Sequence, residues 1–285
     1  MRIGACEVTP LDAGSILFDG GATFGAVPKK VWSRLVSCDS ENRVRLAMRP
    51  YLVRTPASLA LIDAGFGSHQ DERTRGMYGL RGSGDALDSL RALGVDAGEI
   101  DRVILTHLHV DHAGGLFRKE RDRVLPVFPN AEIVVQRGEW DAARRHDPLT
   151  RAGYAPEDVV RLAKARLRFT NGDERIDDWI RVVRSGGHTT HHQMLLLESG
   201  DTTMWFPGDI VPTTHHLRPV YMTALDLNRG RTFRVKQQYL ARAAREGWLV
   251  ALYHERNDPL GWIAAPSTGR YALTPAMDRP QGGEE

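Results

Sequence analysis

The hydrophobic positions of this chain form short apolar runs that alternate with stretches of helical spacing. Four runs hold three or four consecutive apolar residues, as in strands buried on both faces, and they lie at 59–62, 103–105, 133–135 and 194–197. Leucine spacing, a Pro-Glu-Asp start and a terminal glycine predict three helices, at 86–93, 156–167 and 232–246. This alternation is typical of an α/β protein.

The predicted elements belong to one domain that spans residues 1–285. No Pro/Ser-rich linker divides the chain and no segment repeats, so we expect one core, from about 18 to 265, with sheets inside and helices at the surface. The polar, glycine-rich segment 65–84 is the candidate for a long loop. The tail from about residue 278 is expected to be disordered.

Composition narrows the class of protein. Hydrophobic residues make up 41% and charged residues 26% of the chain, as in soluble globular proteins. A formal net charge of +2 indicates no nucleic-acid partner and no membrane partner. Two cysteines cannot form a disulfide framework, and the N-terminus lacks the apolar segment of a secretory signal. We therefore expect a cytoplasmic protein.

One hexapeptide concentrates side chains that bind metals. His107, His109, Asp111 and His112 follow the apolar run 103–105, where a strand is expected to end. Imidazole and carboxylate groups suit zinc and similar divalent ions, and no cysteine lies near to close a structural site. His107 and His109 are two residues apart and can share one metal, whereas Asp111 and His112 follow the turn and can bind a second.

Further candidate ligands follow other apolar runs. Asp63, His188, Asp209 and His254 each come directly or shortly after such a run. In α/β sheets, functional sites collect at the carboxyl ends of strands. We therefore expect these four side chains to meet the hexapeptide at one edge of the fold.

This pattern resembles the metallo-β-lactamase superfamily, whose HxHxDH motif, Gly-His-Thr histidine, Gly-Asp aspartate and final histidine all occur here in order. The resemblance implies a four-layer αβ/βα sandwich, with two mixed β-sheets flanked by helices and two metals at one edge. It implies that Asp209 bridges the metals and that Asp63 orients a ligating histidine. The implied ligands are His107, His109 and His188 for metal one, and Asp111, His112 and His254 for metal two.

Such a centre implies metal-assisted hydrolysis. Two neighbouring cations lower the pKa of a shared water, so that a hydroxide is available at neutral pH to attack a carbonyl or phosphoryl centre. Asp111 and Asp209 are accordingly expected to be catalytic as well as ligating. Zn²⁺ is the expected metal, with Mn²⁺, Co²⁺ and Fe²⁺ as alternatives.

The segments 20–32, 135–140 and 208–213 resemble those of the quorum-quenching acyl-homoserine lactonase branch. They favour a lactonase acting on a small ester or lactone. A phosphotriester or arylester hydrolase is the alternative on the same scaffold. A β-lactamase is disfavoured by the missing signal peptide, and a thioesterase by the segment 20–32. A metal-binding module without hydrolytic activity is the alternative outside enzymes.

The chain departs from that branch near the metals. Its Gly-His-Thr-Pro-Gly-His segment reads Gly-His-Thr-Thr-His-His, which places His191 either near metal one or in solvent. Some lactonases carry a tyrosine three residues beyond the bridging aspartate, but Pro212 stands here. We expect Tyr221 or His216 to supply that hydrogen-bond donor.

Apolar side chains are candidates for a substrate pocket. Phe24, Met48, Met77 and Met222 are of the type that binds an acyl chain, and Phe24 is favoured because its segment is rich in glycine. The segment around Phe24 is expected either to cap its own site or to serve a homodimer.

Overall fold

The apolar runs form the inner strands of two mixed sheets. The computed structural model describes residues 1–145, 147–264 and 270–276. Its strands are β1 (Arg2–Ile3), β2 (Cys6–Pro10), β3 (Ser15–Asp19), β4 (Arg43–Ala47), β5 (Tyr51–Arg54), β6 (Leu59–Ile62), β7 (Arg102–Ile104), β8 (Phe117–Glu120), β9 (Arg123–Pro126), β10 (Glu132–Gln136), β11 (Leu167–Thr170), β12 (Glu174–Arg175), β13 (Ile180–Arg184), β14 (Gln193–Ser199), β15 (Thr202–Phe206), β16 (Leu249–Ala251), β17 (Leu260–Ala264) and β18 (Ala272–Pro275). Its α-helices are α1 (Gly20–Phe24), α2 (Lys29–Trp32), α3 (Glu72–Met77), α4 (Leu87–Ala92), α5 (Val110–Ala113), α6 (Arg137–Arg145), α7 (Pro156–Leu162) and α8 (Arg229–Glu246).

Each large sheet has seven strands. The first has the order β1-β2-β5-β6-β7-β10-β11, and its strands from β6 to β11 run parallel. The second has the order β12-β13-β14-β15-β16-β17-β18, in which β15 and β16 are the parallel pair. Two small antiparallel sheets of two strands each, β3-β4 and β8-β9, complete the named strands of the described residues. The expectation of two mixed sheets is confirmed.

Consecutive residues of the inner strands face different cores, as the pleat of a strand requires. Val103 packs with the apolar residues under α4, α6 and α7, whereas Ile104 packs against the second sheet. On the second sheet, Leu195 faces the first sheet and Leu196 faces α8. The layers are therefore helix, sheet, sheet and helix, and every inner strand is apolar on both faces.

Some predicted boundaries were wrong. The helix expected over 156–167 ends at Leu162, because Leu167 starts β11 and pairs in parallel with Ile133. The segment 65–84 contains α3 rather than loop alone, and α8 starts at Arg229. The tail from 278 lies outside the described residues, and the single domain stays a prediction. In the described part of the chain, no helix is long and apolar enough to cross a membrane.

Two glycines let the chain after His112 pass close to the segment that follows β6. The Gly115 amide donates to the carbonyl of Gly65 at 2.8 Å. A Cβ on Gly115 would lie 1.9 Å from the Ala64 carbonyl oxygen, and one on Gly114 would lie 2.0 Å from that of Phe66. A side chain at either position would therefore force the two backbones apart.

Gly115→Ala is expected to lower the free energy of unfolding by about 2–3 kcal/mol, because the obstacle is backbone that cannot rotate away. Gly76→Ala is the matched control, since Gly76 lies inside α3 and a Cβ there meets nothing within 4 Å. It is expected to be stabilising by about 0.5–1 kcal/mol. Urea unfolding of both variants checks this, and equal effects would contradict the close-approach argument.

Lys236 of α8 is fully buried. Its Nζ donates to the carbonyl oxygen of Tyr221. Burial lowers the pKa of Lys236 to about 7, although the charge of Asp226 opposes this shift. The folded chain therefore loses the Lys236 proton near neutral pH, whereas the unfolded chain keeps it up to its ordinary pKa of about 10.5.

Between pH 7 and 10.5 the unfolded state binds this proton and the folded state does not, so Lys236 makes stability rise with pH. Lys236→Met is expected to remove that contribution, which has a slope of up to about 1.4 kcal/mol per pH unit. The free energy of unfolding of the variant minus that of the wild type should then fall as pH rises from 7 to 10.5. Chemical unfolding at several pH values checks this, and parallel pH dependences of the two free energies of unfolding would contradict it. Lys164→Met is the control, because Lys164 is exposed.

Candidate metal centre

The candidate ligands lie where five strands end. The hexapeptide follows β7, and Asp63, His188, Asp209 and His254 follow β6, β13, β15 and β16. His109 precedes the first turn of α5, which carries Asp111 and His112. The structure thus brings together the residues that the sequence placed after separate apolar runs.

One group of imidazoles surrounds His107. The ring centroid of His107 lies 4.4 Å from that of His109 and 4.9 Å from that of His188. The Nδ1 atom of His109 and the Nε2 atom of His188 are 3.1 Å apart. One nitrogen from each of the three residues lies within 4.8 Å of the others, which is close enough to hold one metal ion.

A second group lies beside the first, with Asp209 between them. Asp111, His112 and His254 offer ligand atoms within 4.8 Å of one another. Oδ1 of Asp209 lies 3.3 Å from Nε2 of His112 and 3.4 Å from Nε2 of His254, while its Oδ2 lies 3.3 Å from Nε2 of His188. One oxygen of Asp209 therefore faces each group.

The donor atoms of this centre fit two divalent ions. Among the described residues, the buried atoms His107 Nε2, His112 Nε2 and Asp209 Oδ1 make no hydrogen bond. A buried polar atom without a hydrogen-bond partner is energetically unfavourable. Ligation of metal ions would give these three neighbouring atoms their partners. The donor set of imidazoles and carboxylates without thiolates suits Zn²⁺ and other first-row divalent ions.

Acceptors behind the imidazoles set their orientation. His112 Nδ1 lies 2.9 Å from Oδ2 of Asp63, whose other oxygen accepts the amide of Thr106 at 2.8 Å. His188 Nδ1 lies 2.9 Å from Oδ1 of Asp226, and His254 Nδ1 lies 2.7 Å from the carbonyl oxygen of Ala47. A proton held at Nδ1 leaves the Nε2 lone pair for a metal.

The pKa shifts of three residues at the centre favour the forms that bind metals. Burial lowers the pKa of His107 and of His109 well below the ordinary range, and neighbouring histidines lower both further. Burial would raise the pKa of Asp209, but the charges of His112 and His254 hold it well below its usual value. Two imidazoles are thus neutral and the central carboxylate is ionised, which are the states that bind cations.

Sequence reasoning missed three supporting residues. His192 Nε2 accepts the amide of Asp209 at 3.2 Å, and Glu139 accepts the amide of Leu108 at 3.2 Å and the hydroxyl of Thr189 at 2.6 Å. Glu139 and His192 lie in segments whose resemblance was noted, but their types suggested no role. Asp226 follows no apolar run, so no local signal marked it.

The structure does not place three of the predicted polar residues on the wall of the cavity at the metal ligands. His191 packs over Gly138 of α6 and does not line the cavity at the centre. His216 is fully buried, with Nδ1 2.8 Å from the Thr213 hydroxyl and Nε2 3.0 Å from a backbone carbonyl. The Tyr221 hydroxyl accepts from an arginine of its own turn and is also absent from the cavity wall. None of the three offers a donor there.

The apolar candidates also lie elsewhere. Phe24 stacks on Trp32 at 5.4 Å and on the His216 ring at 5.2 Å, facing a neighbouring pocket. Met48 is buried in the core, Met77 is exposed, and Met222 is not on the cavity wall. Strands, helices and loops from distant parts of the chain line the cavity instead, at Ile16, Phe18, Thr23, Leu46, Tyr78, Val110, Ala152, Gly153, Pro212, Thr223 and Leu225.

Comparison with known proteins agrees with this geometry. The profile of the metallo-beta-lactamase superfamily matches residues 50–247. The N-acyl homoserine lactonase AttM of Rhizobium johnstonii is 28% identical over 237 residues, which cover 78% of this chain and 85% of AttM. A probable metal-dependent hydrolase from Staphylococcus aureus has a TM-score of 0.87 at 27% identity, over 96% of this chain and 99% of its own. AidC, a dizinc quorum-quenching lactonase, has a TM-score of 0.77 at 20% identity over 96% of each chain, which shows the fold alone.

The solved structures cover nearly the whole chain, and their fold is the sandwich of two mixed sheets flanked by helices that the resemblance implied. That expectation is confirmed. The family profile covers well over half of the chain, from β5 to the C-terminus of α8. The chain therefore belongs to the metallo-β-lactamase superfamily.

Proposed function

We propose that this protein is a dinuclear metal-dependent hydrolase that opens the ring of an acyl-homoserine lactone or a similar neutral lactone. His107, His109 and His188 hold one ion, Asp111, His112 and His254 hold the other, and Asp209 joins both. Zn²⁺ is the ion that we expect at both positions. The relatives named as N-acyl homoserine lactonases support this substrate class.

The observation that carries the proposal is the cavity above the ligands. It has a volume of about 190 Å³ and is walled mainly by aliphatic and aromatic side chains. Among the described residues that line it, the charged or titratable side chains are the ligands themselves and Tyr78, and none is a lysine or arginine. A neutral substrate with an apolar arm suits such a wall, because a charged one would be desolvated without a partner.

The metals and the protein have separate tasks in hydrolysis. Two bound divalent ions would supply Lewis acidity and an activated water. The chain supplies geometry: Asp63 and Asp226 fix two imidazole rings, and His192 fixes the backbone of Asp209. Glu139 ties the chain between His107 and His109 to the residue after His188, so the ligands from the two sheets keep their spacing.

The composition of the cavity wall also distinguishes between the alternative substrate classes. β-Lactams and the glutathione thioesters of glyoxalase-type enzymes carry carboxylates, for which the described cavity wall offers no cationic side chain. A phosphotriester is neutral and fits the wall as well as a lactone does. It is therefore the second candidate substrate class.

The metal-loaded protein is expected to hydrolyse N-hexanoyl-homoserine lactone at least about 10-fold faster, as kcat/KM, than a β-lactam or a glutathione thioester. The reason is that a buried carboxylate without a partner costs more than 1.4 kcal/mol, which corresponds to a factor of ten. Paraoxon is tested in the same assay. Hydrolysis of paraoxon without any lactone hydrolysis would replace the lactonase proposal with the phosphotriesterase one.

Loss of a ligand should remove both metal and activity. His109→Ala and Asp209→Ala are each expected to lower kcat/KM at least about 100-fold, because the remaining donors cannot hold two ions in place. Metal content by mass spectrometry should fall below two ions per chain. His215→Ala is the control, since His215 is half-buried and lies outside the cavity at the centre. Unchanged hydrolysis after loss of either ligand would rule out the assigned roles.

A further inference from the structure

The cavity wall holds one hydroxyl group without a partner among the described residues. Thr23 and Thr223 also line the cavity, but Thr23 Oγ1 donates to the carbonyl of Asp19 at 2.9 Å, and Thr223 Oγ1 donates to Oδ1 of Asp226 at 3.1 Å. The hydroxyl of Tyr78 makes no hydrogen bond within the described chain. It is therefore free to bind a ligand.

The hydroxyl groups of the other tyrosines around the centre already make hydrogen bonds. The Tyr154 hydroxyl donates to Oε1 of Glu139 at 3.0 Å, and the Tyr253 hydroxyl donates to the carbonyl of Asp111 at 2.6 Å. Tyr221, the donor expected from the sequence, pairs with Arg218 at 3.0 Å. Tyr78 remains as the one tyrosine of the described cavity wall.

The Tyr78 side chain is held in place from two sides. Its ring packs on Phe66, with centroids 4.9 Å apart. Its carbonyl accepts the amide of Leu17 at 2.7 Å, and its amide donates to the carbonyl of Thr74 at 3.1 Å. Because ring and backbone are both fixed, the Tyr78 hydroxyl can bind a ligand in the cavity at little entropic cost.

The position of Tyr78 along the cavity indicates which part of a bound substrate would lie next to it. Tyr78, Val110 and Ala152 line both the metal cavity and a wider outer groove, so they form the rim between the two. The lactone carbonyl must lie at the metals, at the foot of the cavity. A group at the rim faces the arm of the substrate that leaves the ring. In an acyl-homoserine lactone the first polar group of that arm is the amide.

We propose that the Tyr78 hydroxyl donates a hydrogen bond to the amide oxygen of the acyl arm and so selects acylated lactones over plain alkyl lactones. This inference rests on the proposed function. Burial raises the pKa of Tyr78, and the charge of Asp111 raises it further, so the phenol stays protonated at neutral pH. The group that results is a permanent donor that carries no charge into an apolar cavity.

Tyr78→Phe removes the hydroxyl and keeps the ring on Phe66. It is expected to lower kcat/KM for N-hexanoyl-homoserine lactone about 10-fold and to change that for an alkyl γ-lactone of similar length less than twofold. Binding of the ring-opened product N-hexanoyl-homoserine, measured by calorimetry, should weaken by a similar factor. The metal content should not change. Tyr239→Phe is the matched control, because Tyr239 lies on α8 against Trp205 and away from the cavity.

Three results would overturn the inference. A less than twofold effect on both lactones would show that the hydroxyl binds no substrate, and an equal loss on both would place it at the ring rather than at the amide. If the wild-type enzyme hydrolyses neither lactone, the proposed function fails and the inference fails with it. Hydrolysis of both lactones by the wild type, with an unaffected Phe variant, removes the role of Tyr78 alone.

Discussion

The arrangement of the whole site depends on one buried carboxylate among imidazoles. Asp209 lies within 3.4 Å of the Nε2 atoms of His112, His188 and His254, which come from both sheets. No single element supplies these contacts, so they form only when the two sheets pack face to face. The packing of the two sheets therefore sets the distance between the two groups of candidate ligands.

Residues behind the imidazoles reduce the unfavourable free energy of burying this cluster. Buried imidazoles are unfavourable in an apolar interior unless their ring nitrogens have polar partners. Asp63, Asp226 and the carbonyl of Ala47 provide that partner for three of the rings. The site is thus oriented before any metal binds, at the expense of stability that a purely apolar core would have.

Close backbone contact also contributes to the orientation. The chain after His112 lies against the segment after β6, where the Ala64 amide donates to the carbonyl of His112 at 2.7 Å. Gly114 and Gly115 permit this approach. Asp63 and His112 are therefore fixed relative to each other by main-chain hydrogen bonds as well as by their side chains.

The cluster of candidate ligands could be predicted from the sequence because its signal is local. Each ligand follows an apolar run, and the strand-end position and residue type together indicate metal chemistry. Tyr221, His216, Phe24 and His191 are adjacent in sequence to the motifs, but the structure does not place them on the cavity wall. Their side-chain directions depend on packing against α6, Trp32 and other distant elements.

The sequence by itself determined the metal-binding chemistry, the alternation of strands and helices and the superfamily. The tertiary structure decided which residues stand behind the ligands, as Asp226 and Glu139 do, and which tyrosine lines the cavity, as Tyr78 does. The physical reason is that strand ends are set by short-range periodicity. The wall of the cavity is built by segments from separate parts of the chain, and only their packing sets the direction of each side chain.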